Sequence, residues 1–132
     1  MIPSPEAKQK MQDIFNRACA GVIQQGERAA ENGNCRYRLP KDGQILKCAI
    51  GHILSDDQIR EHQVTDSINP WGFSYALTKE LLGDMLHNDA RHFLIDLQRC
   101  HDLTAGYGSV FVESFKEKAN SVARQYELDP IA

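Results

Sequence analysis

The stretch CRYRLPKDGQILKCAIGHIL, residues 35–54, decides how this chain is read. Cys35, Tyr37 and Leu39 alternate with Arg36, Arg38 and Pro40, the two-residue period of a strand with one buried face. Lys41-Asp42-Gly43-Gln44 supplies turn chemistry, because Asp-Gly readily takes the positive φ values that a tight hairpin requires. Ile45, Leu46 and Cys48 provide the return arm. The spacing predicts a β-hairpin over about residues 35–48. An isolated hairpin is barely stable in water, so this one must lie on helices. Cys48-Ala49-Ile50-Gly51-His52-Ile53-Leu54 then reads as a short buried turn or helix, and Ser55-Asp56-Asp57 caps a further helix reaching about His62.

Outward from this segment the chain is helical. Ser4-Pro5-Glu6 is a helix start, and Met11, Ile14, Phe15, Ala18, Cys19, Val22 and Ile23 recur on one face until Gly26 and Glu31-Asn32-Gly33-Asn34 end the pattern. Residues 65–73, with Asn69-Pro70-Trp71-Gly72, form an irregular loop. A helix is predicted from Ser74 to Leu82, broken near Gly83. Asn88-Asp89 open another, with Ala90, Phe93, Leu94, Leu97 and His101 inward, ending near Leu103. After the loop Ala105-Gly106-Tyr107-Gly108, Ser109 is expected to cap a last helix that Asp129-Pro130 stops. The predicted fold is mainly α (α+β): one domain over residues 1–132, with four to five helices and one small antiparallel hairpin.

Composition bounds the function. A chain of 132 residues with 42% apolar and 25% charged residues can bury a core without metals or disulfides. A formal charge of −3 argues against a general polyphosphate-binding surface, and the basic residues Arg36, Arg38, Lys41 and Lys47 read first as solvated hairpin charge. Nucleic-acid binding through them is a weak alternative. Met1-Ile2-Pro3-Ser4-Pro5 has no secretory pattern, and no apolar run approaches the roughly 20 residues that cross a bilayer. The expectation is a cytosolic protein with no membrane partner, whose four cysteines are thiols.

Chemistry-bearing residues concentrate around the same segment. Cys35, Cys48 and His52, completed by His101 or Cys100, offer the soft ligands of a zinc site, although no tight cysteine pair of a zinc motif is present. A disulfide between the hairpin arms is a second possibility, disfavoured by a reducing compartment. Cys48 or Cys35 with His101 and Asp102 supplies a nucleophile, base and orienting group. Against these stands plain packing, with Cys35, Cys48 and Ile50 under the hairpin and His52 and His101 holding buried hydrogen bonds. This last reading leads, so no cofactor is expected, zinc being the alternative. The least core-like candidates for an interface are Arg36, Arg38, Trp71, Phe73 and Tyr107, since aromatic and arginine side chains are the usual anchors.

Cys35-x-Tyr37-Arg38, Lys47-Cys48-Ala49-Ile50-Gly51-His52, Leu97-Gln98-x-x-His101-Asp102 and the closing amphipathic helix together resemble small accessory proteins of tailed phages and prophages, over roughly residues 33–128. That group has no settled activity, so no catalytic residue is carried across. The resemblance implies an accessory protein of the bacterial host cytoplasm. It suggests binding and inhibition of a host protein, a defence component such as a CRISPR-Cas complex being one class of target, with a thiol- or zinc-dependent enzyme acting on a host target as the alternative.

Overall fold

The computed structural model describes residues 3–31, 34–35, 38–64 and 69–131, with the backbone alone at 31, 34 and 35. Arg36 and Tyr37 lie outside the described residues. The first helix, α1 (Pro5–Gln25), begins where the sequence places it. Ser4 Oγ accepts the Ala7 amide at 3.1 Å, proline occupies the first turn, and Met11, Ile14, Phe15, Ala18, Cys19 and Val22 are buried in one stripe. Gly26 ends it at φ 75° and donates its amide to the Val22 carbonyl at 2.9 Å. Four more helices follow: α2 (Asp56–Glu61), α3 (Tyr75–Leu82), α4 (His87–Asp102) and α5 (Gly108–Gln125). Ser55 and Gln58 form a reciprocal capping box on α2, and Ser74 caps α3.

Helix α5 packs on both α1 and α4, and α3 lies against the same two helices. Their shared core contains Met11, Phe15, Leu77, Phe93, Leu97, Phe111 and Phe115, all essentially inaccessible. Burial of each such side chain contributes roughly 1.5–3 kcal/mol relative to exposure, so the apolar stripes drive assembly of the bundle. A short 3-10 turn, Ile50–His52, inserts between α1 and α4, carrying the predicted buried segment into the same core.

The hairpin is shorter than its sequence pattern. Strands β3 (Arg38–Lys41) and β4 (Gln44–Lys47) pair antiparallel, with Arg38 opposite Lys47 and Lys41 opposite Gln44. Asp42 at φ 49° and Gly43 at φ 78° supply the two left-handed residues of the turn, as Asp-Gly foretold. Cys35 belongs instead to a separate pairing of β1 (Ala30–Glu31) with β2 (Asn34–Cys35), where it faces Ala30. Cys48 leaves the ladder because Ala49 already has helical angles, φ −53° and ψ −50°. In this register Cys48 has no cysteine directly opposite it, which removes the cross-strand disulfide, and Cys19, Cys48 and Cys100 are free thiols.

Two helix starts and one helix end also differ from expectation. Helix α4 begins one residue early, at His87, after an extended Leu86 that provides no side-chain cap. Helix α5 begins at Gly108, and Ser109 lies inside it rather than capping it. A tertiary contact replaces the cap: the Gly108 amide donates to the Gly26 carbonyl at 2.9 Å, tying the start of α5 to the end of α1. At its other end α5 stops before Asp129-Pro130. Glu127 turns left-handed at φ 56°, and the amide of the buried Leu128 reaches back to Ala123 at 2.8 Å.

Candidate functional site

Two regions compete for function, one inside the bundle and one on its surface. Inside, the C-terminal end of α4 meets the Ile50–His52 turn through Gln98. Its Oε1 accepts the Ile50 amide at 3.0 Å, and its Nε2 donates to Asp102 Oδ1 at 3.0 Å. His101 is 0% exposed. Its Nε2 accepts the Ala29 amide at 3.0 Å, which leaves the proton on Nδ1 to be donated to Asp102 Oδ1 at 2.8 Å. Both ring nitrogens are therefore occupied, and Asp102 is shared between His101 and Gln98. Arg28 closes the arrangement by donating to the Asp102 backbone carbonyl at 3.0 Å.

Cys48 borders this network without the character of a nucleophile. Its sulfur accepts the Gly51 amide at 3.2 Å, and burial pushes its thiol up to about 12. A reactive cysteine needs the opposite environment, electropositive and partly open, so this thiol stays protonated at neutral pH. Burial likewise pushes Cys19 and Cys100 up to about 12. His52 lies over Gly21 of α1, where a Cβ would fall 2.4 Å from its Nδ1, and its Nε2 is buried with no partner among the described residues. Burial first, then the charge of Lys47 and the proximity of His101, hold His52 down to about 4.

Among the described residues, Cys48, His52 and His101 do not bring their ligand atoms together; the side chain of Cys35 lies outside the description. The group whose donor atoms converge, all within 4.8 Å of one another, is Glu61, His62 and Glu80 at the junction of α2 and α3. There His62 Nε2 faces Glu80 Oε2 at 3.2 Å and the Gln58 side-chain Nε2 donates to the same oxygen at 3.4 Å, so protein groups already serve this carboxylate.

The surface region is built on the N-terminal turns of α4. Asn69 Oδ1 accepts the Trp71 amide at 3.0 Å and fixes a second 3-10 turn, Pro70–Gly72, against α4. Trp71, 43% exposed, rests edge-on against His92 with ring centroids 4.6 Å apart. The Arg91 guanidinium lies 5.1 Å from the centre of the Trp71 ring and is tethered to the Trp71 carbonyl at 2.9 Å and to Asn88. Along the same stretch Tyr75 meets His87 edge to face at 5.9 Å, and His87 Nδ1 is 2.8 Å from Thr78 Oγ1. Tyr75 and Leu86 are exposed beside them. The result is a pre-stacked aromatic and cationic ledge on rigid elements.

The other sequence-based interface candidates scatter. Phe73, only two residues from Trp71, is a correction: at 6% exposure it belongs to the core and is withdrawn from the surface. Tyr107 is 70% exposed and sits under Lys41, 5.4 Å from ring centre to Nζ, on the hairpin side. Arg38 is ion-paired to Asp56 at 2.8 Å. Sequence reading missed Tyr75, Leu86, Arg91 and His92. The signal for the last two was available: they fall between Ala90 and Phe93, off the apolar stripe of a helix whose first turns lie near Trp71. Comparisons of the chain with protein-family models, curated proteins and solved structures found no match.

Proposed function

We propose that this chain is a non-enzymatic binding protein that docks on a bacterial host protein through the Trp71 ledge and inhibits it, a defence complex such as a CRISPR-Cas effector being the target class. The single observation that carries this reading is the division of labour on α4. Residue types suited to catalysis or ligation are hydrogen-bonded inside the bundle, whereas Trp71 and Arg91 are stacked and pre-organised at the surface. Tryptophan and arginine dominate binding energy at interfaces, and a ledge already held in place loses little side-chain freedom on docking. The host and target class rest on the phage-protein resemblance alone. Its motif residues Cys48, Ile50, Gln98 and His101 are buried, so the resemblance carries no surface site across.

The test is plating of a phage on cells whose CRISPR-Cas system targets it, with and without expression of this chain. Expression is expected to restore plaques, and Trp71→Ala to abolish the rescue at unchanged soluble yield and with no more than about 1 kcal/mol of stability lost. Rescue that survives both Trp71→Ala and Arg91→Ala would move the interface elsewhere; absence of rescue by the wild type would remove this defence class from the target list.

A further inference from the structure

Beside the ledge, the start of α1, the α3–α4 turn and the end of α5 border an open pocket of about 710 Å³. Its size falls in the range of pockets that take a small molecule or one or two anchoring side chains. Its apolar lining includes Pro5, Met85 and the half-exposed Leu86, together its floor, and Asp84, Asp89 and Glu127 supply the carboxylates that make its rim acidic. One lysine reaches this rim, Lys8, and its Nζ is committed to the Tyr126 carbonyl at 2.9 Å. Asp84 accepts a hydrogen bond from Ser4 at 2.5 Å, while Asp89 and Glu127 form no ion pair among the described residues. His92 lines the pocket and also meets Trp71, so pocket and ledge are one continuous surface.

Resting on the binding-protein reading above, we infer that this pocket receives a basic segment of the partner protein, an apolar side chain in the floor followed by arginine or lysine at the carboxylate rim. Charge complementarity makes the choice. Acidic rim groups repel phosphates and anionic lipid headgroups and attract guanidinium or ammonium, while the apolar floor rewards a flanking aliphatic side chain that a bare cation lacks. The Trp71 ledge would then hold the rest of the same segment.

The experiment is a titration of the ¹⁵N-labelled full chain with two blocked peptides, acetyl-Leu-Leu-Arg-Arg-amide and acetyl-Leu-Leu-Glu-Glu-amide, followed by amide shifts. The basic peptide is expected to move residues 84–92 and 125–127 saturably, the acidic one to leave them in place. Asp89→Asn with Glu127→Gln should weaken the basic peptide about fivefold, and added salt should act in the same direction. Leu86→Ser is the second variant, removing floor rather than charge, and should also weaken binding. Equal binding of both peptides, no saturable shift at millimolar peptide, or shifts centred elsewhere would overturn the proposal. So would movement of the same amides with protein concentration alone, which would assign the pocket to a second copy of this chain. Failure here with plaque rescue still dependent on Trp71 would sink the pocket alone; basic-peptide binding without any rescue would remove the CRISPR-Cas target class and leave the pocket standing.

Discussion

His101 and His92 lie on the same helix and have opposite fates. His101 is enclosed, one nitrogen taking an amide from the residue before β1 and the other giving its proton to Asp102. His92 opens onto a pocket and touches an exposed tryptophan. By residue type the first is the better catalytic candidate, having an aspartate beside it and a cysteine nearby in the same core. Its environment reverses that order, because a base or ligand needs a free lone pair facing a space where something can bind. The interior cluster fixes how the 3-10 turn meets α4, and the open surface is where a second molecule can be met.

The largest expected effects are on stability and would break the comparison if absent. His101→Ala strands the Ala29 amide and removes a fully buried ring, which should cost about 3 kcal/mol in urea unfolding. Phe73→Ala should cost a similar amount, about 3 kcal/mol, because that ring is core. Should His101→Ala fold with undiminished stability yet lose plaque rescue, the interior would have to be promoted from scaffold to site.

A smaller effect, about 2 kcal/mol, is expected where His52 crosses α1. Gly21→Ala places a Cβ 2.4 Å from the His52 ring and should destabilise by about that amount. The double variant Gly21→Ala with His52→Ala should recover part of the loss, which a helix-propensity effect alone would not allow, since alanine is the better helix former. The same histidine predicts a pH dependence. Its folded value, about 4, lies below the ordinary 6.5. Between those values the unfolded chain takes up a proton that the folded chain refuses, so stability is full above about pH 6.5 and falls as pH drops toward 4. Urea unfolding at pH 7.5 and 4.5 measures this as a loss of roughly 2 kcal/mol in the wild type beyond the loss in His52→Ala. Equal losses in the two proteins would show that the ring is already solvated or charged in the folded state.

Local signals were legible in the sequence because each involves neighbours along the chain. Ser4 and Ser55 cap as expected, and Asp42-Gly43 makes its turn, because an oxygen and an amide three residues apart, or two left-handed residues in a row, need no tertiary partner. The apolar run from Cys48 to Leu54 also declared its burial. Ser109 failed as a cap because a carbonyl more than eighty positions earlier in the chain, that of Gly26, reached the first amide of α5, and no sequence window spans that distance. The same limit applies to the site. Phe73 and Trp71 are both aromatic and lie two positions apart, and only the packing of Pro70–Gly72 on α4 decides which one is inside. Whether the donor atoms of Cys48, His52 and His101 converge is a matter of ångströms that spacing does not encode, and among the described residues they do not.

Trp71→Ala is the smallest expected effect on folding and the sharpest probe of the outer face. The ring is 43% exposed, so truncation sacrifices one edge contact with His92 and one cation–π contact with Arg91, together about 1 kcal/mol of stability or less. Loss of binding should be much larger, because an interface anchor typically contributes 2 kcal/mol or more, about a thirtyfold change in affinity. Arg91 separates the two roles. Once Trp71 is gone, Arg91→Ala should cost less than it does in the wild type, since the stack is already lost and only the bonds to the residue 71 carbonyl and Asn88 remain to break, and this non-additivity is readable as a coupling energy in urea unfolding. If Arg91→Ala instead destabilises the Trp71→Ala protein by as much as it does the wild type, the stack contributes nothing measurable, and the pre-organisation that distinguishes this face from the rest of the surface disappears with it.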